Sequence, residues 1–325
     1  MVFTQFIFLN HEQDAMMELA KNITEIPSKH PEKFVSQAKN QSNNIPKRLK
    51  NFLDDFMQCK SPTGYILISN IPIEDKLPQT PPDNKLFIGE KTIMAKFQAI
   101  ISEYLGEMVA YEAEGHGNIF QDMVPKQDLV NTQTSLGSGV ELEIHTEQAF
   151  SKLKPDVLVL GCLKGDINAK TYTLHASEII KHLKSNKVET LMKPLWKIGV
   201  DESFKNYGSK FIKGELRGPI PILYESGNDM KLVFDQDLMV GITPEAANLR
   251  KEIIDIYYNN RNYHVLKPGE LLLIDNRRTV HGRSPFYPLF NGKDRFIVRS
   301  FITFDYNASV YARFNGGRTI AAKYS

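Results

Sequence analysis

From about residue 108 onward the apolar residues come in short runs, Asp156-Val-Leu-Val-Leu-Gly-Cys162, Lys231-Leu-Val-Phe234 and Glu270-Leu-Leu-Leu-Ile-Asp275 among them, each broken by Gly, Pro or Asn. Runs of this length and makeup read as strands, so this part of the chain must close around a β core. One helix interrupts the pattern, with Thr243 as N-cap, Pro244 at the first helical position and Leu249, Ile253, Ile254 and Tyr257 on one face. Before residue 108 the period changes. Leu49, Phe52, Leu53, Phe56 and Met57, then Met94, Phe97, Ile100, Ile101, Tyr104 and Leu105, recur at helical spacing. Between these two helices, Tyr65–Asn70 reads as a buried strand, and the proline-rich stretch Pro72–Asn84 as a loop.

The expected fold is therefore α+β and mainly β: a sandwich or barrel of jelly-roll type over residues 108–325, with flanking helices and a helical N-terminal layer over residues 1–107. A chain of 325 residues exceeds the size at which one core stops growing. With no composition break and no repeat, one enlarged domain spanning 1–325 is the simplest organisation. The polar, glycine-containing stretch 201–218 has no period and reads either as a mobile lid or as a plain surface loop.

Hydrophobic residues at 42% and charged residues at 24% exclude a disordered chain. The net charge of +2 is spread along the sequence, which gives no reason to expect nucleic acid or a membrane as partner and favours a small polar ligand. Cys59 and Cys162 are far apart and in no metal-ligand spacing, so neither a disulfide nor a cysteine metal site is expected. With no apolar run of about 18 residues, and with MVFTQFIFLNHEQD carrying no charged n-region and too short an apolar stretch for a signal peptide, the expectation is a cytoplasmic protein. The sequence leaves the oligomeric state, including a homo-oligomer, open.

Chemistry concentrates in two segments. In Glu141-Leu-Glu-Ile-His145-Thr-Glu147, His145 and Glu147 are two residues apart and share a face in extended chain. Alone, such a pair is as readily a surface ion pair. The strand ending at Asp275 runs into Asn-Arg-Arg-Thr-Val-His281-Gly-Arg, which supplies His281 as a third ligand. Two imidazoles and one carboxylate leave open positions on an octahedral ion, the arrangement of non-haem Fe(II) oxygenases. A zinc hydrolase can be built from the same residues, although no further carboxylate stands out as its general base. Beyond His281, Arg295 and Arg299 share strand parity and point the same way. Buried guanidiniums need anions, so they either receive carboxylates from ligands or pair with Asp275 or Asp294.

Taken together, Gln133-Thr-Ser-Leu-Gly-Ser-Gly-Val-Glu-Leu-Glu-Ile-His145-Thr-Glu147-Gln-Ala-Phe150, Pro155-Asp156, Asn276-Arg-Arg with His281-Gly-Arg, Phe286 and Arg295 resemble the clavaminate-synthase-like branch of the Fe(II)/2-oxoglutarate dioxygenases, over residues 105–305. Within that branch the chain is most similar to hydroxylases of free L-amino acids.

The resemblance implies a double-stranded β-helix core. It implies Fe(II) held by His145, Glu147 and His281, with 2-oxoglutarate and O2 as co-substrates and succinate and CO2 as co-products. The distal carboxylate of 2-oxoglutarate would meet Arg295, helped by Thr173. The α-carboxylate of the substrate would meet Arg299, and its α-ammonium would lie near Glu147, Glu114 and Ser135. If Glu114 faces solvent, it is only a surface acid. In Phe234-Asp235-Gln-Asp237, read as strand, the two aspartates face the same way, and neighbouring carboxylates ask for a cation between them. The alternative is a polar strand end. The substrate implied is a free basic L-amino acid, lysine ahead of arginine by resemblance, with hydroxylation at C4 preferred to C3 on the same ground. Rival classes are a zinc-dependent hydrolase and a binding-only jelly-roll protein.

Overall fold

The computed structural model describes residues 4–201, 214–227 and 229–324. Three of the apolar runs lie side by side in an eight-stranded sheet: Leu271–Asp275, Val157–Lys164 and Phe296–Thr303, in that order. Tyr65–Ser69 and Gln5–Ile7 extend the sheet beyond Leu271–Asp275. Glu107–Tyr111, Thr319–Ile320 and Gln121–Met123 complete it at the other side. A second sheet has the order Asn262–Val265, Lys170–His175, Thr279–Arg283, Leu142–His145.

The central strands are mostly apolar because both faces of the large sheet are covered. Val157, Val159, Leu163, Leu271 and Leu273 join one core, with the N-terminal helices. Leu158, Cys162, Leu272 and Ile274 join another, shared with Ile144, Leu174 and Val280 of the four-stranded sheet. Period-two alternation thus sorts one strand's side chains between two cores.

The helices Lys47–Met57 and Ile93–Leu105 form where the apolar spacing places them. The second starts at Thr92, whose hydroxyl accepts the Ala95 amide. It presses closely on the sheet at Gly161, where an added Cβ would come within 2.7 Å of both Met94 Cγ and Gln98 Oε1. Gly161→Val is therefore expected to lower unfolding free energy by about 1–3 kcal/mol, read as a lower denaturant midpoint at unchanged slope. Pro244–Asn260 is capped by Thr243, whose hydroxyl accepts the Ala246 amide at 3.1 Å. No described helix is long and apolar enough to cross a membrane. Both cysteines are free, Cys162 in the core.

Three features differ from expectation. Asn10–Lys21 and Pro31–Ser42 are additional helices in the N-terminal layer. Their buried apolar residues are few, Met16 and Ala20 in the first and Phe34, Val35 and Ala38 in the second, so polar residues dilute the period. Of the stretch read as lid or loop, 202–213 lies outside the described residues. Its end, Leu216–Ile220, is a strand paired with Trp196–Gly199. Finally, Asp235 and Asp237 are not in a strand. The ladder strand ends at Leu232, and 236–238 form a turn. Asp235 Oδ1 accepts the Leu238 amide at 2.7 Å, a bond through which an aspartate side chain bends its own backbone.

Candidate active site

The four-stranded sheet assembles the site by register. His281 lies opposite His145 across the antiparallel pair Thr279–Arg283 and Leu142–His145, and opposite Thr173 on its other side. Facing residues in a ladder project to one side, so the two imidazoles meet, their centroids 4.4 Å apart. Glu147, just past the strand end, is locked by Asn276, whose Oδ1 accepts the Glu147 amide at 2.6 Å. Its Nδ2 donates to the carbonyls of Glu147 and Pro155.

One ligand atom from each of His145, Glu147 and His281 lies within 4.8 Å of the others. His145 Nδ1 is 2.8 Å from the Glu143 carbonyl, which only accepts, so Nδ1 carries the proton and Nε2 is left for a cation. Burial would raise the Glu147 carboxyl, but Arg299 and the two imidazoles outweigh it and hold it at about 2. Burial and the neighbouring His145 push His281 down, toward the neutral, metal-binding form. Two imidazoles and one ionised carboxylate fit a hard or borderline divalent ion with open positions.

Two cavities meet at these ligands. The first contains Arg295, Arg299, Arg283, Thr171 and Ser135 beside Glu147 and both histidines. Arg295 and Arg299 bracket Ile297 on this side while Phe296 and Val298 face the helices, as strand parity requires. Arg283 is spent on the carbonyls of Ser135 and Gly137. Arg295 is buried and makes no hydrogen bond or ion pair among the described residues. Asp275 is taken by Arg277 and Arg278, and Asp294 accepts the Leu289 and Asn291 amides, so neither neutralises it. A cationic cavity beside the metal ligands, with no carboxylate among its described lining residues besides Glu147, suits an anionic metal chelator. Thr173 lies beside His281 in the register but is not among the lining residues. Thr171, two positions earlier on the same face, takes that place.

The second cavity is acidic. Glu114, Glu143, Asp201, Asp235 and Asp237 line it together with Glu147, Ser135 and Arg299. Glu114 faces this cavity rather than solvent: its Oε1 accepts from Arg299 and its Oε2 from Gln148 at 2.8 Å. Glu112 is elsewhere, accepting the Ala322 amide. Asp235 bridges to His145 across the backbone. Its carboxyl is pushed up to about 6 by burial, against the pull of His145 and the Leu238 amide, with Asp237 adding to the rise. Glu143, on the strand face of His145, is raised by burial and by Asp237. Sequence reading missed Thr171, Arg283 and Glu143, although each shares parity with a residue it singled out.

The fold and the two-histidine, one-carboxylate centre between a cationic and an acidic cavity define a non-haem metal oxygenase. The family described as "Taurine catabolism dioxygenase TauD, TfdA family" matches residues 220–300. The chain is 47% identical over 292 residues to an L-lysine 3-hydroxylase from Catenulispora acidiphila, covering 90% of this chain and 82% of that one. It is 28% identical over 325 residues to clavaminate synthase 2 from Streptomyces clavuligerus, covering 95% of each. The crystal structure of an asparagine oxygenase in complex with Fe(II), 2S,3S-3-hydroxyasparagine and succinate superposes with a TM-score of 0.88 at 26% identity, covering 98% of this chain and 99% of that one. The chain belongs to the clavaminate-synthase-like Fe(II)/2-oxoglutarate-dependent dioxygenases, in the branch of the amino-acid hydroxylases. Its cofactors are accordingly Fe(II), 2-oxoglutarate and O2.

Proposed function

We propose that this protein hydroxylates an unactivated side-chain carbon of a free basic L-amino acid, with L-lysine the leading substrate. The carrying observation is the charge of the second cavity, where Glu114, Glu143, Asp235 and Asp237 join Glu147 around the guanidinium of Arg299 among the described residues. An amino acid with a neutral or acidic side chain adds no cation to this acidic wall, whereas a second cation on the substrate offsets its charge. The Catenulispora relative favours lysine over arginine and C3 over the C4 expected from sequence resemblance. L-arginine 3-hydroxylation is the alternative within the same branch.

Iron with 2-oxoglutarate and O2 supplies the oxidation of the C–H bond, with succinate and CO2 as co-products. The chain's own residues bind, orient and exclude water. His145, Glu147 and His281 would hold the iron, and Arg295 with Thr171 would take the far carboxylate of 2-oxoglutarate in the cationic cavity. Arg299 would receive the substrate's α-carboxylate, Glu114 with Glu147 and Ser135 its α-ammonium, and Asp235 with Asp237 its terminal cation. Anchoring both ends of a flexible substrate fixes which carbon stands before the metal. In this reading the two facing sheets are a double-stranded β-helix and residues 1–325 act as one catalytic domain.

The test is anaerobic reconstitution with Fe(II) and 2-oxoglutarate, then O2 with each of the twenty free L-amino acids, scoring a mass gain of one oxygen and locating it by NMR. Product from lysine alone, at C3, is expected. Oxygen-independent activity with retained zinc would replace the reading by a hydrolase, and iron bound without product from any amino acid by a binding-only protein. A second test separates the two threonines. Thr171→Val should raise the KM for 2-oxoglutarate by about tenfold to 100-fold, the worth of one hydrogen bond to a charged group, and Thr173→Val should leave it near wild type.

A further inference from the structure

The proposed carboxylate receptor is already engaged through Nε and Nη2 in the structure. Arg299 Nε donates to Gln121 Oε1 at 3.0 Å, Nη2 donates to both Gln121 Oε1 and Glu114 Oε1, and Nη1 lies 3.5 Å from Glu147 Oε1. A substrate carboxylate can grip both Nη1 and Nη2 of this fork only if one of the partners on Nη2 lets go. The two that share Nη2 differ in how they are held.

Gln121 lies directly opposite Arg299 in the ladder between Gln121–Met123 and Phe296–Thr303, and it is 2% exposed. Its side chain is packed against Gly115, whose φ is +60° and where a Cβ would lie 2.3 Å from Gln121 Cγ. Glu114 sits outside that ladder, at the entry to the turn Gly115–Gly117, and lines the substrate cavity. A guanidinium only donates, so the Gln121 amide must turn its oxygen toward Arg299. That leaves Gln121 Nε2 buried without a partner among the described residues. An orphaned buried donor is a cost that a residue kept only for packing would not carry. The amide is also neutral. It orients the fork without adding a third negative charge to Glu114 and Glu147.

We propose that Gln121 is a positioning residue for the reaction: it holds the Arg299 guanidinium in place while Glu114 gives up its bond to the incoming α-carboxylate of the substrate. Released from Arg299, Glu114 stays in the cavity as the counter-ion for the α-ammonium, so carboxylate and ammonium are received in one exchange. This rests on the reading of the cavity as a free amino-acid site. It requires only the α-carboxylate, whatever the side chain.

The test compares wild type with Gln121→Met and Gln121→Glu, using whichever free L-amino acid the wild type hydroxylates. Gln121→Met keeps volume and loses the acceptor. Gln121→Glu keeps the acceptor and adds charge. Both should raise the KM for the amino acid by about tenfold or more, the glutamate variant the most because it neutralises the receptor. In both, the KM for 2-oxoglutarate, iron content and kcat at saturating amino acid should stay within about twofold. A merely structural role would move all four quantities together and would make the glutamate variant the milder one. Either pattern, or an unchanged amino-acid KM in both folded variants, overturns the proposal. If the wild type binds and hydroxylates no free amino acid, the functional reading falls and the proposal with it. If the wild type is active and the variants match it, only the proposal falls.

Discussion

His145→Ala should lose iron and turnover together while leaving the fold intact. The imidazole sits at the end of Leu142–His145, intermediate in burial, and its ring packs only on His281 among aromatic neighbours. Removing it opens space at a cavity wall rather than in a core. The remaining pair, Glu147 and His281, offers two ligands, and loss of a direct ligand should cost more than the roughly 10–100-fold typical of supporting residues. Expected results are an iron content near zero after anaerobic dialysis, turnover down by more than about 100-fold, and an unchanged thermal transition of the metal-free protein. Normal turnover in this variant would end the metal assignment.

Removing the charge of Asp235 should be the second large effect, and the turn it caps decides how to do it. Asp235→Ala deletes both the carboxylate and the acceptor for the Leu238 amide, so it mixes loss of charge with loss of the turn. Asp235→Asn keeps an acceptor oxygen and removes the charge. The asparagine variant should cut kcat/KM for lysine by at least about 30-fold, the lower end for truncating one partner of a buried charge pair. Iron and 2-oxoglutarate binding should be preserved. Alanine should be worse than asparagine by whatever the turn contributes. Unchanged amino-acid selectivity in both would move the terminal pocket away from this turn.

The parts of the site carried by period-two alternation were legible from sequence. Arg295 and Arg299 were assigned one face by parity alone, and that face lines the cavity. His145 and Glu147 were paired by the same rule. What failed was a local event that parity does not see. Phe234-Asp235-Gln-Asp237 reads as alternation, but Asp235 bonds to the amide three residues on and ends the strand. Both aspartates still reach one cavity, now from a turn. The threonines differ in another way: Thr171 and Thr173 are equivalent by parity, and only Thr171 lines the cavity. Gln121 gave no signal at all, since its role depends on a cross-strand partner 178 residues away. The helices Asn10–Lys21 and Pro31–Ser42 were invisible because their contacts with the core rest on a few small or scattered side chains.

The strand Phe296–Thr303 serves two masters, with Ile297, Arg299 and Phe301 turned to the catalytic side and Phe296, Val298 and Ile302 to the core under the helices. Deleting one residue between Asp294 and Arg299 would exchange the two sets, burying guanidinium among phenylalanines and lining the co-substrate cavity with hydrocarbon. Lineages descended from such an enzyme can therefore gain or lose residues in the connecting loops but not along this strand. New substrates must be reached by substitution and by the segments that surround the cavities, while the length of the strand stays frozen.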